Sequence, residues 1–179
     1  MRVVKMTTTS VDVYDAARTL LAVRRYKAKR IPKDLVRKVV EAGRLTASSV
    51  NLQPWHFIVV EDAEMLRKLG AASRTGPYIA SAPLAIAVAV EKASEYAVSD
   101  ASRAIQSMLL VAWSAGVGSN WVGFTKMTKV AELLGVPREL DVLAVLSFGY
   151  PEAKLGRGKK KRKPLGEVAH RERFGQPFT

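Results

Sequence analysis

The stretch SSVNLQPWHFIVVED, Ser48 to Asp62, changes character at its middle. Its first half is small and polar and turns at Pro54. Its second half, HFIVVE, is a continuous apolar run that reads as a strand entering a core. Asn51 and Gln53 taken alone are ordinary turn residues. A turn needs no indole beside an amide, however, and Trp55 follows at once, so the loop is a candidate site as well as a connection. Upstream, Pro32 suits the first turn of a helix running to about Leu45, with Leu35, Val36, Val39, Ala42 and Leu45 apolar. Downstream, Asp62 is placed to cap a short helix through Leu69. The next run, PLAIAVAVE, is apolar throughout and predicts a strand buried on both faces.

Farther out, Val11 to Val23 reads as a helix with Val13, Ala16, Ala17, Leu20 and Leu21 on one face. Ser99 or Asp100 is expected to cap a long helix through Ala115. Its body, AIQSMLLVAWSAG, is apolar nearly all round, which predicts burial on every side, by its own domain or by a second subunit. GVGSNWVGF ends that helix and starts a third strand. TKVAELLG is a short helix closed by Gly135, and DVLAVLSFGYP is a fourth strand. Helices and strands do not alternate regularly, so the fold class is α+β. The 179 residues are expected to form one domain, with a basic segment and an extended arm over 154–179.

Composition narrows the chemistry. With no cysteine, thiol nucleophiles, disulfides and cysteine-ligated metals are excluded. The opening MRVVKMTTTS lacks the apolar core of a secretory leader, and no run reaches the ~18 apolar residues of a membrane span, so a cytoplasmic address is expected. The net charge of +13 is uneven: RGKKKRK, Arg157 to Lys163, holds six of the cations. Such a run is a solvated tail, a nucleic-acid contact or a partner for a phosphate. His56 and His170 stand far apart without ligand-like companions, so no metal site is expected. GVGSNWVG, with Gly116, Gly118 and Gly123, lacks the dinucleotide-binding spacing and follows a helix rather than a strand. It reads either as a helix stop and tight turn, or as backbone that a flat ligand approaches closely.

Four segments, in order, resemble the flavin-dependent nitroreductase family. EAGRLTASSVNLQPWHFIVVED is similar to its helix, Pro-Ser-Ala-x-Asn-x-Gln-Pro-Trp-type loop and apolar strand. Ser48, Asn51, Gln53, Pro54 and Trp55 match, and Ala47 stands where proline is usual. DASRAIQSMLLVAWSAGVGSNWVGF resembles the central helix and glycine turn, LSFGYPE the closing strand, and KKRKPLGEVAHRERFG the C-terminal arm. The resemblance spans roughly Val23 to Gly175. It implies the nitroreductase-like fold, a central, mostly antiparallel sheet flanked by helices, in an intertwined homodimer that binds FMN at its interface. It implies NAD(P)H as hydride donor and a nitroaromatic, quinone or similar acceptor. Carried over residue by residue, it puts Ser48 and Asn51 at the flavin edge, where an amide matches both acceptors and a donor. Arg24 falls beside N1 and O2, and the backbone of Val122 and Gly123 faces N5. Lys160 and Arg162 form the Lys-x-Arg pair on the phosphate, and Trp55 packs beneath the ring. No catalytic side chain is implied, because the flavin carries the chemistry.

One departure stands out. The family's Arg-Arg/His-Ser triplet, which also serves the phosphate and ribityl chain, is replaced by Leu20, Leu21 and Ala22. Either the basic run compensates, or Arg18 reaches in, or the cofactor is held weakly or differently. Two rival readings remain: a same-fold flavoenzyme with another task, such as dehalogenation or flavin fragmentation, and a basic nucleic-acid-binding protein. The basic run lacks the interleaved aromatics that stacking on single strands favours, which weighs against the latter.

Overall fold

Residues Leu84 to Val90 are all buried, and their side chains divide by size. Leu84, Ile86, Val88 and Val90 join one core cluster, while Ala85 and Ala87 join another. This is the two-residue period of a strand with both faces covered. The computed structural model describes residues 12–123, 127–153 and 160–178. In it this strand, β2 (Leu84–Glu91), lies between β1 (Trp55–Val60) and β4 (Leu140–Gly149), and β3 (Gly118–Val122) lies beyond β4. All three pairings are antiparallel. The large-residue face carries α2 (Lys33–Arg44) and α4 (Ala97–Ser114), through Val36 and Val39 and through Ala104, Ile105 and Met108. The alanine face carries α3 (Ala63–Ala72) and α5 (Thr128–Leu134), through Leu66, Leu69 and Val130. The expected α+β class and antiparallel sheet are therefore observed.

Local signals set several boundaries. Pro32 stands just before α2. Asp62 Oδ1 accepts the Met65 N–H at 2.8 Å and caps α3. Gly135, with φ of 64°, closes α5 in the left-handed conformation.

Two expectations need correction. The first helix, α1, covers Val13–Thr19 and does not reach Val23; Val11 lies outside the described residues. From Leu20 the chain is captured by β3: Ala22 bridges Ser119 in parallel, and the Val23 N–H donates to the Ser119 carbonyl at 2.8 Å. A tertiary partner outbids the local helical period there, and Val13 is 73% exposed. Second, α4 opens at Ala97, so Ser99 and Asp100 sit inside its first turn and cap nothing. Of the two ways expected to bury α4 all round, its own chain alone does not do so. Arg103, Gln106 and Ser114 are exposed, Val98 is 58% exposed, and Val111 is only half-buried. In the arm, Phe174 is 92% and Phe178 52% exposed, while residues 154–159 of the basic segment, with Arg157 to Lys159 of the basic run, lie outside the described residues.

Gly118 lets the 20–26 strip lie flat against β3, because a Cβ there would stand 2.4 Å from Val23 Cγ2. Gly118→Ala is expected to lower stability by about 1–3 kcal/mol, the usual cost of overpacking. Urea unfolding measures this, and an unchanged midpoint would show that the strip is not tightly seated.

Candidate functional site

The loop between α2 and β1 is strained. Val50, Asn51 and Gln53 take φ of 43°, 59° and 53°. This left-handed region costs a non-glycine residue on the order of 1–3 kcal/mol, and a β-branched residue such as Val50 tolerates it least. Hydrogen bonds close the loop on itself. Ser48 Oγ accepts the Gln53 N–H at 2.9 Å, the Gln53 amide donates to the Asn51 carbonyl at 3.3 Å, and the Asn51 N–H donates to the Ser48 carbonyl at 3.1 Å. A buried carboxylate anchors it from outside. Asp100, 0% exposed, accepts the Ser49 N–H at 2.9 Å and the Ser49 hydroxyl at 3.2 Å, and Arg103 also donates to it. Burial works against the charge of Asp100, but the bonds from Ser49 and Arg103 prevail and hold its carboxyl below the usual range. The side chain of Asn51 is left exposed at the tip.

A second group gathers on the opposite edge of the sheet. The strip beside β3 carries Arg24, exposed, with its guanidinium 5.8 Å from the Tyr78 ring centroid. Tyr78 donates its hydroxyl to Asn120 Oδ1 at 3.0 Å. Asn120 is 5% exposed, and its Nδ2 has no partner among the described residues. Tyr26 pins the strip from inside, donating to the Val23 carbonyl at 2.6 Å and lying 2.7 Å from Ser147 Oγ. Burial raises the Tyr26 phenol well above its usual range, so it stays neutral.

Lys160 joins this group by donating its ammonium to the carbonyl of Ala17, in the last turn of α1. Desolvation, and then the nearby Arg162 charge, lower its pKa. Among the described residues none of Arg24, Lys160 and Arg162 forms an ion pair. Arg18 does not turn inward; it pairs with Asp15 at 2.8 Å on the exposed side of α1.

The remaining candidates are placed less simply. Val122 is 2% exposed and packs into the α3–α5 cluster. Gly123 borders a cavity of about 1010 Å³ with Ala97, Val98, Ala131 and Leu143. Its lack of a side chain is required by packing, since a Cβ would lie 2.5 Å from Trp121 Nε1 and 2.8 Å from the Leu143 carbonyl. Trp55 is a core residue, 7% exposed and stacked on Phe57 at 6.3 Å. His56 is exposed on the edge strand. Among the described residues, no three His, Asp or Glu side chains are grouped to hold a metal, and no helix is long and apolar enough to cross a membrane.

One protomer does not bring the candidates together. Asp100 holds the 48–53 loop near the start of α4, whereas Trp113 Nε1, near its end, donates to Thr19 Oγ1 at 2.9 Å. At 1.5 Å per residue these two attachments are about 20 Å apart. The loop also feeds edge strand β1, while Arg24 lines edge strand β3, about 14 Å away across three strand spacings. Ser48 and Asn51 thus occupy one end of α4, and Arg24 and Lys160 the other. Sequence reasoning missed Asp100, Tyr78 and Asn120. The signal for Asp100 was present: it is the one carboxylate on a face otherwise made of Ala97, Ala101, Ala104, Ile105 and Met108, and a buried charge demands a partner.

The architecture has close counterparts. A model described as Nitroreductase family matches residues 21–78 and 74–150. A protein of Archaeoglobus fulgidus, provisionally named an NADH dehydrogenase/NAD(P)H nitroreductase, is 38% identical over 143 residues, covering 75% of this chain and 82% of the relative. An iodotyrosine deiodinase of Thermotoga neapolitana is 26% identical, over 87% of this chain and 95% of its own. The solved structure of an FMN-dependent nitroreductase from Clostridium difficile superposes with a TM-score of 0.81 at 27% identity, over 90% of this chain and 99% of that one. The match runs through the Arg24 strip, the strained loop, the sheet and α4 alike, and the chain belongs to the nitroreductase family.

Proposed function

We propose that this chain is an FMN-dependent oxidoreductase, working as a cytoplasmic homodimer, that takes hydride from NAD(P)H and delivers it to a nitroaromatic, quinone or similar acceptor. FMN, when bound, supplies the hydride-accepting and hydride-donating chemistry. The observation that carries this reading is the loop 48–53. Three non-glycine residues with positive φ in one short loop, anchored by a buried carboxylate, are the kind of strain that persists where function needs it. It presents Asn51, whose amide offers both donor and acceptor to the edge of a flavin. Ser48 closes the same loop through Gln53.

The other end of α4 fits the rest of such a cofactor in charge. Arg24, Lys160 and Arg162 are cations without carboxylate partners among the described residues; desolvation, and then the neighbouring Arg162 charge, lower the pKa of Lys160. An anion offsets these charges, and a phosphate accepts hydrogen bonds from Lys160 and Arg162. Arg24 places a fixed charge for the pyrimidine edge, steadied by the Tyr78 ring. The backbone of Val122 and Gly123 contributes at N5 from beside the cavity.

Because one protomer holds these two groups about 20 Å apart, a second copy completes the site. The exposed Val50, Leu52, Val98 and Phe174 supply apolar surface for that contact. Reductive dehalogenation is a second reading, favoured by the kinship with the Thermotoga neapolitana deiodinase. Comparing reduction of halogenated phenols with that of nitroaromatics and quinones separates the two.

Sedimentation is expected to find a dimer at micromolar concentration, and a stable folded monomer would remove the two-copy site. Arg24→Ala is expected to lower the flavin midpoint potential and slow reduction by NAD(P)H; an unaltered potential with FMN still bound would reassign Arg24 to the surface. Losing either Lys160 or Arg162 should weaken FMN binding roughly 10- to 150-fold, from about 1.5–3 kcal/mol per charge-assisted hydrogen bond. Riboflavin should bind much more weakly than FMN, and salt should weaken FMN further, since exposed charges are screened over ~8–10 Å. Because the Lys160 pKa is lowered, its share of the affinity is present at low pH and lost on the alkaline side, earlier than for an ordinary lysine. Titration of the apo-protein with both flavins at two salt concentrations tests the clamp. Equal, salt-independent affinities would return the basic run to a solvated tail or nucleic-acid contact.

A further inference from the structure

The backbone at Val50 and Asn51 is held against its preference, and the restraint comes from a residue that lies outside the loop. We propose that Asp100 is a positioning residue for the flavin loop: its carboxylate fixes Ser49 by two hydrogen bonds, and this holds Val50 and Asn51 left-handed so that Asn51 is presented to its ligand. The proposal rests on the reading that loop 48–53 receives the flavin edge.

Four observations support it. Asp100 Oδ2 accepts the Ser49 backbone N–H at 2.9 Å, so it restrains the main chain immediately before the strained pair. Asp100 Oδ1 accepts the Ser49 hydroxyl at 3.2 Å, which fixes the residue's rotation as well as its position. Arg103, one turn along α4, also donates to the carboxylate and keeps it charged and oriented. Val50 is 84% exposed, so packing against its own protomer does not hold it in place. The bonds inside the loop, from Gln53 to Ser48 and to Asn51, tie the loop only to itself. Thr46, which donates to Ser107 Oγ at 2.9 Å, fastens the end of α2 to the same helix but lies ahead of the turn. The registration of Asn51 against the rest of the molecule therefore runs through Ser49 to Asp100. Because Asp100 is in the first turn of the helix that spans both half-sites, a movement of α4 would carry the loop with it.

The test uses the full chain with Asp100→Asn, which keeps the side chain's shape, and Ser49→Ala, which removes only the hydroxyl contact. Amide hydrogen exchange is measured without flavin, and FMN affinity is measured separately. In Asp100→Asn, exchange at residues 49–53 should quicken by roughly 10-fold or more while β2 and β4 amides hold their rates, and FMN should bind roughly 10-fold more weakly. Ser49→Ala should show the same pattern at smaller size. Adding Val50→Gly to Asp100→Asn should recover most of the lost affinity, because glycine accepts positive φ without strain. Unchanged loop exchange would overturn the proposal. So would loop and core amides quickening together, or a failure of Val50→Gly to restore binding, since either would leave Asp100 a stabiliser of the core alone. If the wild-type chain binds no FMN, the functional reading fails by itself, and the exchange comparison still decides whether Asp100 clamps the loop.

Discussion

The length of α4 is the constraint on which the rest of the molecule depends. Eighteen residues make a rod of about 27 Å. Its first turn holds the strained loop through Asp100, and its last turn holds α1 through Trp113. Its buried side, Ala101, Ala104, Ile105, Met108 and Ala112, is seated on α2 and the large-residue face of the sheet. A helix packed this way cannot bend to bring its ends together. The two groups of candidate residues are therefore fixed apart, and on the proposed reading the chemistry depends on a second copy rather than on an internal closure.

The two ends are built on opposite electrostatic principles. At the loop end the charge is buried and fully answered: Asp100 receives Ser49 twice and Arg103 once. Such a group specifies conformation, because moving any partner leaves a carboxylate unsatisfied in a dry place. At the other end the cations, Arg24 exposed and Lys160 partly buried, have no carboxylate partners among the described residues, which on the proposed reading suits the binding of an anion. The loop end supplies geometry, while the strip end supplies charge.

Much of the fold was legible in the sequence because its signals were local. Pro32, Asp62 and Gly135 marked boundaries by their own stereochemistry, and the apolar run at Leu84–Val90 needed no partner to read as a buried strand. What stayed hidden depended on distant partners. The end of α1 was misplaced because Ser119, about a hundred residues away in sequence, takes the Val23 N–H. Asp100 read as a cap because its true partner, Ser49, lies fifty-one positions back. Tyr78 and Asn120 carried no pattern at all, since only the docking of the 77–81 turn against β3 makes them meet. The candidate residues themselves came from resemblance to the family. No amount of periodicity could have shown that they divide between the two ends of a helix.

The replaced triplet finds its physical reason in the same docking. The positions that read Leu20, Leu21 and Ala22 are the start of the strip that adds itself to β3. Leu20 is half-buried and packs against the main core cluster, so its side chain is committed to the interior. Ala22 makes the bridge to Ser119, one residue before Val23 passes over Gly118. The chain has thus used this segment for packing, at the expense of polar groups that could have faced an anion. On the proposed reading the compensating charge comes from the far end of the sequence, where Lys160 reaches the Ala17 carbonyl, three residues before Leu20. The clamp is then concentrated in one segment rather than shared between two. That one is desolvated at Lys160 and crowded by Arg162, so an anion gains more from neutralising it than it would from two separated, well-solvated cations.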